Sequence, residues 1–312
     1  MSAKPDAPRA DTSLLRRLLQ LTGRDPFALA GISIYVVFAL VAIFANTLAN
    51  HDPLEILFLP DGKIAANQSP GASYWLGTTS LGRDVFSQLV FGARSALMVG
   101  LSAAITVVVV GTLVGLFAGY FGGWVDAVLM RVGDVALSIP FLPFIIVLAA
   151  FLKPNVWNVV IGVSMLLWPN TGRIVRSQVL TLRERSYVEA AKVSGAGHLR
   201  ILFTHIAPNV LPISFLYGSI VIGWAIFTEA SVSFLGFGPS DSVSWGYMLQ
   251  DAFVSQALSR GAYYWFVPSG LCIMLVVTAG FFISRGYEEL LFPKLRDGPC
   301  EAFPKRQRSA DY

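Results

Sequence analysis

Six stretches of this chain carry no charged side chain: Pro26 to Asn50, Ser95 to Val125, Val135 to Leu152, Pro154 to Gly172, Ile206 to Thr228, and Gly261 to Ser284. A helix needs about 20 apolar residues to cross roughly 30 Å of hydrocarbon, so each run is a candidate crossing. In lipid every backbone N–H and C=O must be bonded within the protein, which leaves helices or a closed barrel. The alternating pattern of a barrel strand is missing, and helices follow. Only 13% of the 312 residues are charged, against about 25% in a soluble domain. The composition therefore excludes a soluble enzyme, a disordered chain and a secreted disulfide scaffold. A net charge of +4 does not indicate nucleic acid, because the basic residues are distributed by side of the membrane.

That distribution orients the chain. With six crossings both termini share one side, and this side collects eighteen of the 23 Lys and Arg residues. By the positive-inside rule it is cytoplasmic. The expected layout is a cytoplasmic segment 1–26, a six-helix domain 27–285 with a cytoplasmic loop at about 173–205, and a cytoplasmic tail 286–312. Lys153-Pro154-Asn155 leaves room only for a tight turn between the third and fourth crossings. Thr47-Leu48-Ala49 loosely resembles a signal-peptidase site, but the first apolar run is about twice a signal core, so an uncleaved anchor is expected.

Chemistry is sparse. No phosphate-binding loop or nucleophile elbow occurs, and His51, His198 and His205 form no metal-ligand spacing. Cys272 and Cys300 imply no bridge. The 186–209 loop is more informative. Ser186 and Glu189, three apart, read as a capping box. Ala190 and Ala191 favour helix without bulk, and Gly195 supplies a left-handed stop. Such a two-turn helix is too short to stand alone in water. A second helix, Leu199 to Ile206, leads back to the membrane, with Pro208 and Pro212 shaping its entry. An ordinary capped surface helix and a helix seeking a partner surface both fit these residues.

The wider pattern resembles a known family. Glu189-Ala190-Ala191, then Gly195, then Ile206-Ala207-Pro208 resembles the EAA loop of permease subunits of ABC importers. Tyr187 to Ala191 and His205 to Asn209 look like the dipeptide, oligopeptide and nickel branch. Trp75-Leu-Gly-Thr-Thr-Ser-Leu-Gly82-Arg83-Asp84, with Gly92-Ala93-Arg94, resembles the outer segment of its second permease subunit. Gly122 to Asp134 and Glu229 to Gly236 also match, so the likeness runs from about residue 20 to 295. Thr79 stands where the family usually has Asp, Gln88 where Arg is common, and Ala207 where Leu is usual.

The resemblance implies an all-α integral membrane protein with the type I importer permease fold and no catalysis of its own. It implies a heterodimer with a second, homologous permease, two ATP-binding subunits carrying ATP and Mg, and an extracytoplasmic binding protein that delivers peptides or a related solute. The setting would be a bacterial inner membrane, with no cofactor on this chain and no nucleic-acid partner. Glu189, Ala190, Ala191, Gly195, Ile206 and Pro208 would couple the pore to an ATPase. Gly82, Arg83, Asp84 and Arg94 would sit at the outer mouth, with Phe86, Leu89, Val90 and Ala93 offering an apolar helix face to a partner.

Within the membrane, Gly111, Gly115 and Gly119 recur every fourth residue and invite close helix packing, within this chain or with the second permease. Glu229 continues the fifth crossing about a turn from its outer end, and substrate contact, proton relay and hydrogen bonding near Ser231 and Ser233 compete for it. In an ATP-independent transporter or channel, the alternative reading, Glu229 would be the coupling acid. Asp126, Arg131 and Asp134 border the third crossing, and Arg131 with Asp134 can pair three residues apart. The orientation is checked directly. A cysteine at residue 196 should resist an impermeant label in intact cells, while one near Lys63 should react.

Overall fold

The computed structural model describes residues 25–152, 155–238 and 242–291. The expected 1–26 segment and 286–312 tail fall largely outside these, as does most of the Lys153-Pro154-Asn155 turn. The described residues are helical apart from loops and two isolated bridges, Phe58 with Ile64 and Thr78 with Asp84.

The elements follow from their end signals. α1 (Pro26–Ile43) starts where Asp25 accepts the Phe27 N–H at 2.8 Å, with proline in the first helical position. A single turn, α2 (Ala45–Leu48), follows. α3 (Val85–Phe121) starts at Asp84, which accepts the Ser87 N–H at 2.9 Å, and runs for 37 residues. It stops at Gly122 and Gly123, both at positive φ, and α4 (Gly123–Ser138) leaves at once. α5 (Phe141–Phe151) comes next, then α6 (Val156–Arg183), capped by Asn155 on the Trp157 N–H. α7 (Ser186–Val193) is the loop helix. α8 (His198–Arg200), a π-helical turn at Ile201–Ile206 and α9 (Ala207–Phe234) form one rod. α10 (Trp245–Val254) precedes α11 (Tyr263–Leu291).

Four of these are long and apolar enough to cross a membrane: α1, α3, the His198–Phe234 rod and Tyr263–Gly286 of α11. The third expected crossing, Val135 to Leu152, is not one straight helix. α4 and α5 meet at 82° and count as a fifth passage only when taken together. Pro140 has no N–H to donate and holds Ile139 extended. α5 alone, at 11 residues, spans only about 16 Å at 1.5 Å per residue. α6 has 28 residues, ample length, but Asn170, Arg173 and Arg176 make it more polar than the other four.

The deepest seam joins α3 to α6, and the three glycines lie on it. A Cβ on Gly111 would sit 2.8 Å from the Thr171 Cβ, on Gly115 2.6 Å from the Gly172 carbonyl, and on Gly119 2.7 Å from the Val179 Cβ. Their packing partner is thus within this chain. α11 is held the same way from two sides, Gly31 of α1 facing the Ala279 carbonyl and Gly280 facing the Ser219 carbonyl of α9. Gly115→Leu forces two backbones apart, and overpacking of this kind costs about 1–3 kcal/mol. The expected result is a lower thermal midpoint of the purified protein, whereas Gly270→Leu, at a position with open space, should leave it unchanged.

Candidate functional site

α7 is anchored by one side chain. Val188 is fully buried and belongs to an apolar cluster with Val179, Ile201, Leu202 and Ile206. Ala191 and Ala196 pack beside it. Ile206 is therefore a core residue, while Pro208 lies partly buried in the first turn of α9. The capping box does not form. Arg185 occupies the cap position with no side-chain cap bond, and its carbonyl accepts from Val188 and Glu189. Ser186, already inside the helix, is one residue too late to cap it.

The far end behaves as its sequence indicates. Gly195 sits at φ +79°, its N–H bonded to the Lys192 carbonyl at 3.0 Å, and the Ala196 N–H reaches back to Ala191 at 3.1 Å. This pair of bonds is the Schellman closure. The helix leaves Tyr187, Glu189, Ala190 and Val193 exposed, Val193 by 90%, and Leu199 stands exposed just beyond it. The return helix starts at His198 rather than Leu199 and passes through a π turn. The Ala207 N–H bonds the Leu202 carbonyl five residues back, Pro208 beside it has no N–H to donate, and the Asn209 side chain bonds the His205 carbonyl at 2.7 Å. The Tyr120 hydroxyl lies 3.0 Å from His198 Nδ1, tying the loop to the end of α3.

At the opposite end, the outer segment is a knot of side chain to backbone bonds. Thr78 Oγ1 donates to the Ala65 carbonyl and accepts the Gln68 N–H. Thr79 Oγ1 accepts from the Leu81 and Arg83 N–H groups, so a hydroxyl does here what a carboxylate oxygen would. Gly82, at φ +75°, leaves no room for a Cβ beside Ile64. Arg83 and Asp84 do not present paired charges outward. Asp84 is fully buried and bonded to Ser87, while Arg83 donates to the Tyr247 hydroxyl at 3.1 Å. Gln88 is buried, its Nε2 on the Pro53 carbonyl. Arg94 reaches the Ala42 carbonyl and Asn46 at the end of α1.

The apolar face expected to meet a partner is covered by this chain. Val90 and Ala93 are buried, and Trp245 of α10 lies on Gly92 and donates to the Leu89 carbonyl at 2.9 Å. Reading the sequence overlooked α10, although Ser244 before an amphipathic run is a helix-start signal. With Trp245 and Tyr247 it closes the end of the bundle away from the loop helix.

The carboxylates Glu229, Asp126 and Asp134 find protein partners. Glu229 is buried, accepts the Ser233 hydroxyl at 2.6 Å and is also held by Ser244, the cap of α10. Ser231 bonds its own helix instead, at the Phe227 carbonyl. Asp126 takes both nitrogens of Arg176 at 2.5 Å. Asp134 pairs most closely with Arg173 at 2.6 Å, while Arg131, expected as its partner, forms a longer pair at 4.0 Å and is 82% exposed. Neither α6 arginine was singled out from sequence, where they read as loop charges. Among the described residues no three His, Cys, Asp or Glu side chains converge as a metal site would need.

Residues 111–297 match the family described as binding-protein-dependent transport system inner membrane component. The chain belongs to that family. It is 34% identical over 302 residues to a dipeptide transport system permease protein of Alkalihalophilus pseudofirmus, covering 95% of this chain and 97% of the relative. An oligopeptide transport system permease protein of Bacillus subtilis is 35% identical, covering 87% of each. A glutathione transport system permease protein of Pectobacterium atrosepticum is 35% identical, covering 86% of each. The protein is thus a membrane permease subunit of the ABC importers' peptide branch.

In this permease α10 carries a carboxyl set against its surroundings. Burial pushes the Asp251 carboxyl up from its ordinary value, and the nearby Arg83 guanidinium partly offsets that. A carboxyl raised on folding costs stability once pH climbs through its folded value. Arg83→Glu removes the bond to Tyr247 and sets a second carboxylate near Asp251. Losing a hydrogen bond to a charged group costs about 1.5–3 kcal/mol, so the thermal midpoint should fall, more at pH 8 than at pH 5.

Proposed function

We propose that this permease is one half of the pore of an ATP-driven importer for short peptides, delivered from outside by a binding protein. A second, homologous permease forms the other half, as in the second-subunit role that the outer segment resembles. Two ATP-binding subunits supply the energy from the cytoplasm, with ATP and Mg bound to them. The chain crosses the bacterial inner membrane six times, through α1, α3, the bent α4–α5 pair, α6, the His198–Phe234 rod and α11, with both termini and the α7 loop inside. The peptide assignment is supported by the dipeptide and oligopeptide transport systems to which the relatives belong.

One observation carries the coupling role. α7 is an eight-residue helix held by a single buried valine, with Tyr187, Ala190 and Val193 turned out. A helix of that length is marginal alone, and an exposed apolar surface of this kind indicates a partner. The absent capping box removes the competing role for Glu189, which is exposed and available to a neighbouring subunit. Gly195, Ile206 and Pro208 act from behind, fixing the angle at which α7 is presented.

Ala190 is exposed here, so Ala190→Trp should leave the isolated permease as stable as before. In a fitted groove the same change costs about 1–3 kcal/mol, a roughly 5- to 150-fold weaker hold on the ATPase. Gly195→Val should act alike by straining the closure. The measurement is ATPase co-purification together with uptake, and normal values for Ala190→Trp would sink the coupling assignment.

A further inference from the structure

α6 carries a polar stripe where a lipid-facing helix would be apolar. Asn170 lies midway along the helix, and Asn170, Arg173, Ser177 and Thr181 are all exposed, at spacings of three, four and four that place them on one face. Polar side chains at membrane depth are costly and face water or protein rather than lipid. Asn170 opens into a cavity of about 380 Å³ in the angle of the α4–α5 bend, with Tyr217 and Trp224 of α9 on the opposite wall and Phe141 beside them. That volume lies within the range of about 300–1,000 Å³ usual for small-molecule sites. Next to it on the same helices, two residues from cavity-lining Ala136 and three from Asn170, Asp134 and Arg173 pair at 2.6 Å. Both side chains are about half exposed, and Arg131 stands 4.0 Å from Asp134.

We propose that this cavity and its adjoining ion pair form a transit subsite for a zwitterionic peptide in the permease itself, on the way from the outer mouth to the cytoplasm. The inference rests on the peptide reading above. Asn170 and Tyr217 supply hydrogen bonds to the peptide backbone, and the aromatic walls accept side chains of varied shape. The ion pair suits the two ends of the solute. Arg173 exchanges Asp134 for the terminal carboxylate and Asp134 exchanges Arg173 for the terminal ammonium, so net charge in the membrane is unchanged as the pair opens and re-forms. Asp134 and Arg173 pair within this chain and still leave about half of each side chain exposed to a solute.

The test uses the full complex with its binding protein in proteoliposomes and alanyl-alanine as the solute. Asn170→Leu, which leaves the ion pair intact, should lower the maximal uptake rate by up to about tenfold, the cost of one neutral hydrogen bond to the peptide backbone. The concentration for half-maximal uptake, set by the binding protein, should not move. The exchange of Asp134→Arg with Arg173→Asp keeps an ion pair but reverses its order, and should restore assembly without restoring uptake. Full uptake by the exchanged pair means that the pair is structural only and overturns the subsite. Loss of the second permease from Asn170→Leu preparations means that the face is an interface, which also overturns it. If the wild-type complex takes up no zwitterionic peptide, the peptide reading falls and the subsite falls with it. If wild type transports and Asn170→Leu matches it, the subsite alone falls.

Discussion

The end of this protein that carries the loop helix depends on how closely α3 and α6 approach. Three glycines in α3 place the Gly172 and Arg176 carbonyls within 3 Å of where a Cβ would stand. Apolar surface is not withdrawn from water when two helices meet in lipid, so the gain comes from dispersion contacts and from bonds that only near backbones can make. The seam then fixes what lies beyond it. Arg183 at the end of α6 donates to the carbonyls of Gly119 and Tyr120, and Tyr120 meets His198 at the base of the loop. The loop helix therefore inherits its position from contacts several turns away.

A second constraint is the treatment of charge. Asp126 and Asp134 each find an α6 arginine, and Glu229 finds two hydroxyls. The lone carboxylate does more than satisfy itself. Ser244, which holds it, also caps α10, and Gly246 lets α10 lie against the Ala230 backbone. Thus α9 and the outer cap are locked through one buried acid. Such contacts give a membrane protein a specific geometry where burying apolar surface has little to discriminate between alternatives.

The long apolar helices, the Gly195 stop and the glycine register were legible because each depends on local rules: absence of charge, a left-handed site, and a fourfold spacing. What escaped was tertiary. Pro140 and the 82° bend could be anticipated only as a weak point, since proline marks a break without giving its angle. The closer pairing of Asp134 with Arg173, beside its longer pair with Arg131, follows from α4 lying along α6, which no intrahelical spacing encodes. Asp84 is completely buried, bonded to Ser87 and 3.9 Å from His51 of the preceding loop, a placement that its local sequence does not encode. Ser186 failed as a cap because Arg185 already occupied that position, a one-residue matter beyond the resolution of pattern reading.

At Gly195 the restriction concerns handedness and not room. No atom would lie within 4 Å of an added Cβ, so volume excludes nothing there. What excludes most side chains is that the backbone occupies the mirror-image half of conformational space, natural to a D-residue and open without penalty only to the achiral one. The direction in which the chain leaves the loop helix, and so the surface it shows to a neighbour, is set by the one coded amino acid that has no chirality.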